Sequence, residues 1–123
     1  MKILLLLGVL NGFLAVALGA FGAHGLEGKI TEKAIKTWEK AVNYQMFHTI
    51  ALFLVGFLLT KYEGTSFVTA GWFFFAGIIL FSGSLYIYAT TSVKVFAMIT
   101  PFGGVAFLIG WILLGYAIVK FVG

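Results

Sequence analysis

The sequence predicts an all-α membrane protein, with four transmembrane helices in a tightly packed bundle and an amphipathic interfacial helix between helices 1 and 2. Three observations carry this. Residues 3–23, 41–60, 64–93 and 95–119 contain no charged side chain and run for 21, 20, 30 and 25 residues, where a bilayer core takes about 20 apolar residues per spanning helix. The charges lie almost entirely between these runs, as they must when a charge in hydrocarbon is costly. Hydrophobic residues make up 62% and charged residues 10% of the chain, against roughly 45–50% and 25% in a soluble domain. Eight lysines and four glutamates could not cover such a surface in water.

The 123 residues form a single integral membrane domain, with helices expected at about 3–24, 41–60, 67–91 and 101–121 and the interfacial helix at about 31–40. Connections that short leave no room for a soluble domain. With no cysteine there is no disulfide, thiolate metal site or cysteine nucleophile. The net charge of +4 does not point to nucleic acid, because the lysines end the apolar runs, where they snorkel toward headgroups. Membrane lipid is therefore the partner this surface requires.

Helix 1 begins Met1-Lys2 and could be taken for a secretory signal, but an h-region is about 7–15 residues long and this run continues past it. It is read as a retained span. Gly8, Gly12, Ala15, Gly19 and Gly22 recur at spacings of four and three, so they share one narrow face. Small residues on one face let a neighbouring backbone approach closely. Helix 3 repeats the pattern at Ala70, Gly77, Ser84 and Thr91, and helix 4 at Gly103, Gly110 and Ala117.

The polar segment 25–40 follows helix 1. Thr31 is placed to cap a helix, with Glu32 in the first turn against the dipole and Ile30 and Ile35 as a hydrophobic staple. Lys33, Lys36 and Lys40 then share one face and Ala34, Trp38, Ala41 and Val42 the other, which suits a helix lying in the interface with Trp38 at headgroup depth. A short loop at 61–66 leads to helix 3. After a turn near Lys94, Thr100 and Pro101 look like the cap and first residue of helix 4. No internal repeat of the inverted-transporter kind stands out.

The polar residues gather in one half of the membrane. His24 ends helix 1, and Tyr44, Gln45 and His48 open helix 2. Ser82, Ser84, Tyr86 and Thr90 close helix 3, and Thr100 opens helix 4. Asn11 is the main polar residue of the opposite half. A polar group at that depth needs a partner, so His24, Tyr44, Gln45, His48, Ser82, Ser84, Tyr86 and Thr100 are expected to form one cluster around His48. The simplest role for His48 is an interhelical hydrogen bond to Ser82, Ser84 or a backbone carbonyl. No catalytic residue, metal site or cofactor site is assigned. Two histidines without Cys or Asp fall short of a zinc set, His24 and His48 lie at unequal depth for haem ligation, and Gly103-Gly104 lacks the lysine of a phosphate loop.

The segment Gly19-Ala20-Phe21-Gly22-Ala23-His24-Gly25-Leu26 closely resembles the signature of a small membrane-protein family catalogued as domain of unknown function 423, to which eukaryotic transmembrane protein 256 is similar. The resemblance continues through Trp38, Ala41, Tyr44, Gln45 and His48, then Ser82-Gly83-Ser84-Leu85-Tyr86, Thr100-Pro101-Phe102-Gly103-Gly104 and Gly110-Trp111. It implies a four-helix integral membrane protein whose motif residues are those of the polar half, and it brings no activity with it.

Two readings of function stay open at this level. One is a non-enzymatic membrane component with an accessory, assembly or lipid-contacting role. The other is a small transporter or channel acting as a homo-oligomer or beside a partner membrane subunit, although proton coupling usually needs an embedded acid and all four glutamates lie outside the charge-free runs. In the cell membrane, five lysines (29, 33, 36, 40 and 94) on the polar-segment side against Lys2, Lys61 and Lys120 place that segment in the cytoplasm and both termini outside. A cysteine introduced at Lys36 should then resist a membrane-impermeant thiol reagent in intact cells; labelling there reverses the orientation.

Overall fold

The computed structural model describes residues 2–123. Four long helices alternate in direction: α1 (Lys2–His24), α2 (Glu32–Leu58), α3 (Thr65–Thr91) and α4 (Lys94–Phe121). All four are long and apolar enough to cross a membrane. α1 packs chiefly on α2, while α2 and α4 both pack on α3.

Two elements differ from the sequence expectation. The interfacial helix and the second span are one uninterrupted helix, α2, because nothing at Lys40-Ala41 breaks it. Thr31 does cap it, accepting a hydrogen bond from the Ala34 amide at 3.1 Å. The fourth helix starts at Lys94, so Pro101 lies inside it and Thr100 is not its cap. Proline has no N–H for the carbonyl four residues back. Pro101 thus leaves the Ala97 carbonyl without its main-chain donor, while the Thr100 hydroxyl before it donates to the Phe96 carbonyl at 3.2 Å, in a helix that continues to Phe121. Ser92, at φ 59°, turns the chain between α3 and α4.

The small residues of α1 form its seam with α2. A Cβ on Gly8 would meet the Phe53 ring at 3.0 Å, and one on Gly19 would meet Val42 at 3.3 Å. Gly22 lies against the Trp38 indole, and Ala15 is buried. Gly12 is looser, with Thr49 at 3.6 Å. As the α1 number rises the α2 number falls, which is antiparallel packing. Trp38 secures the upper end by donating its indole N–H to the Leu18 carbonyl at 2.8 Å.

Glycines and phenylalanines interlock between α3 and α4. Phe107 fills the space beside Gly77, and Phe74 lies 2.8 Å from where a Cβ on Gly110 would stand. Ala70 and Ser84 are buried in the same seam, but Thr91 is exposed, donating to the Ile87 carbonyl and accepting from the Val93 amide. Midway, α3 widens into a π-helical segment, Ile78–Gly83. Its main chain at Leu80 and Phe81 lies directly on Gly103. The main core gathers Leu52, Val55, Phe67, Phe74, Phe107 and Leu114 around these seams.

Candidate functional site, a lateral groove beside His48

The expected single cluster is resolved into separate groups. The first joins three helices: Tyr86 donates its hydroxyl to Gln45 Oε1 at 2.7 Å, and Gln45 Nε2 donates to Asn11 Oδ1 at 3.0 Å. Asn11 then back-bonds to the Leu7 carbonyl at 2.8 Å. Asn11 thus belongs with the polar residues, because the long Gln45 side chain spans the difference in depth. A second group pairs the Ser84 and Thr100 hydroxyls at 2.6 Å, joining α3 to α4. Ser82, lifted toward α2 by the π segment, donates to the Ala41 carbonyl at 2.7 Å.

His48 stands apart from all of these. It is buried, and its ring stacks on Phe107 with centroids 3.5 Å apart and planes 9° from parallel. Trp111 donates its indole N–H to Nε2 at 3.1 Å, and Nδ1 lies 2.8 Å from the Tyr44 carbonyl. Because Nε2 accepts, the proton sits on Nδ1 and the imidazole is neutral in this arrangement. Both ring nitrogens are satisfied by a fixed frame of aromatic residues. The partners are therefore Trp111 and a carbonyl of its own helix, rather than Ser82 or Ser84.

Two expected members fall outside. His24 is exposed at the end of α1, level with Trp38 through the Gly22 contact. That is about ten residues of α2, roughly 15 Å, above His48. Tyr44 is also exposed, with its ring stacked on Phe81 at 4.4 Å.

Tyr44 points to a feature no sequence pattern shows. α2 and α4 each pack on α3 and meet one another mainly through the rings at His48, Phe107 and Trp111. Between them lies a groove of about 800 Å³, open to the side of the bundle. Tyr44, Phe47 and His48 line one wall, and Pro101, Gly104 and Leu108 the other, with Phe81 and Phe107 beneath. One hint was legible beforehand: an indole N–H in the middle of a span requires an acceptor, and few residues near Trp111 can supply one.

A four-span membrane protein with paired internal polar groups and a lateral aromatic groove is the class these features define. The family described as "Protein of unknown function (DUF423)" matches residues 18–104. The UPF0382 membrane protein YwdK of Bacillus subtilis (strain 168) is 54% identical over 122 residues, covering 98% of this chain and 99% of its own. The UPF0382 membrane protein SAB0533 of Staphylococcus aureus (strain bovine RF122 / ET3-1) is 52% identical over the full length of both chains. The chain belongs to this family of membrane proteins of unknown function. No solved structure gives a significant match.

Proposed function

We propose that the protein is a non-enzymatic, lipid-contacting component of the cell membrane that holds a lipid acyl chain in the groove between α2 and α4. One observation carries this reading: the groove is apolar and aromatic, about 800 Å³ in volume, and it opens sideways at the depth of the spanning helices. At that depth the surrounding medium is hydrocarbon. An acyl chain is therefore what meets the opening. The satisfied state of His48 supports the same role, since a ring held by Trp111 and the Tyr44 carbonyl builds a wall rather than presenting a reactive nitrogen.

A transporter would need a polar path through the bilayer. The buried polar side chains are hydrogen-bonded within the bundle, to side chains or to main-chain carbonyls, which favours the first reading. In the proposed orientation the segment 24–40 faces the cytoplasm. Purification in mild detergent with mass identification of bound species tests the function. The expected result is retained lipid, lost in Gly104→Leu, which projects into the groove where a Cβ would have only Phe81 at 4.0 Å. A retained small polar solute in place of lipid would overturn the reading.

A further inference from the structure

The groove has a chemical polarity along its length. Its deep part is lined by Phe47, Phe107, Leu108 and Trp111. Toward the polar-segment face come Tyr44 and Asn43, both exposed, with no side-chain hydrogen bond among the described residues. An unpaired hydroxyl and amide inside a span are costly unless something outside the protein meets them. Acyl ester carbonyls lie at about this depth and accept from both.

Above them the helix register brings lysines to the mouth. Lys36 and Lys40 precede Tyr44 by eight and four residues and share its side of α2. Lys94 precedes Pro101 by seven, on the groove side of α4. α2 and α4 run parallel, with His48 opposite Phe107 and Trp111, so Lys94 is level with Lys36 to within about a turn. All three lysines are exposed. The neighbouring Glu39 lines the cleft against α1, which Asn43 also borders.

We propose that the groove is a binding site for an anionic phospholipid, with its phosphate between Lys36 and Lys94, its ester carbonyls at Tyr44 and Asn43, and one acyl chain against Phe107 and Trp111. This rests on the lipid-holding reading above and adds the class of lipid. The charge at the mouth selects the headgroup, and the aromatic trough accepts a chain of any headgroup.

The test uses the full chain in nanodiscs of matched-chain phosphatidylglycerol and phosphatidylcholine, extracted and weighed by native mass spectrometry. Wild type should retain phosphatidylglycerol preferentially, by roughly thirtyfold for two lysines at headgroup depth. The Lys36→Gln, Lys94→Gln double variant should fall to near unity while still retaining phosphatidylcholine. Removing the same charge at Lys61 and Lys120, at the opposite ends of α2 and α4, should leave most of the preference. Equal retention of both lipids by wild type would overturn the headgroup assignment alone. Equal loss in the two double variants would do the same, by showing diffuse surface attraction. Failure of wild type to retain either lipid would overturn the lipid-holding reading itself.

Discussion

Gly103→Ala is expected to destabilise the bundle by about 3 kcal/mol or more, at the upper end of the usual cost of overpacking. A Cβ there would stand 2.7 Å from the Leu80 carbonyl carbon and 2.7 Å from the Phe81 Cα, with the Phe81 amide nitrogen nearer still. These are main-chain atoms of the π segment and cannot turn aside as a side chain can. The next residue provides the control. At Gly104 the same methyl meets only the Phe81 ring at 4.0 Å, so Gly104→Ala should be neutral or stabilising by up to about 1 kcal/mol through helix propensity. Unfolding by denaturing detergent in mixed micelles measures both. Equal stability of the two variants would show that α3 and α4 do not approach at Gly103.

His48→Ala should cost about 3–5 kcal/mol, as removal of a buried ring usually does. It abolishes the stack on Phe107, leaves a void among aromatic side chains and strips the Trp111 indole of its acceptor. His48→Phe separates these contributions. It keeps a flat ring against Phe107 and loses only the hydrogen bonds, for roughly 1–2 kcal/mol. The same unfolding assay distinguishes them, and a shift of Trp111 fluorescence should accompany both. Were His48→Phe as damaging as His48→Ala, the hydrogen bonds and not the stacking would hold the site together.

The parts of the fold legible in the sequence are those governed by the bilayer. Charge segregation alone placed the four spans, because burying a lysine in hydrocarbon costs more than any local preference can offset. The stripe on α1 was legible because close helix approach demands small residues at fixed spacing, and Phe53, Val42 and Trp38 occupy the places it leaves. Local end signals did worse. Thr100-Pro101 reads as a helix start, yet α4 begins at Lys94 and runs on through the proline. Nothing in residues 25–40 says that an amphipathic helix joins a span without a break. The π segment left no sequence signature beyond Gly103, the residue that accommodates it.

Among the site residues, Gln45, Tyr86, Ser84 and Thr100 were legible as polar groups needing partners, but their pairing was not. Side-chain reach decides it: Gln45 extends to Asn11 on α1, whereas His48 turns the other way to Trp111 on α4. The groove depends on α2 and α4 sharing α3 without packing on each other, which is a property of the assembled bundle.

The central claim is that an acyl chain occupies this groove, and quenching of Trp111 by brominated lipid tests it most directly. In a Trp38→Phe, Trp72→Phe background, Trp111 is the sole tryptophan left of the chain's three and lines the groove. In nanodiscs of lipid brominated along the acyl chain, its fluorescence should be strongly quenched, and Gly104→Leu in the same background should restore most of it. Quenching that is weak at the outset, or that Gly104→Leu leaves unchanged, would contradict the account.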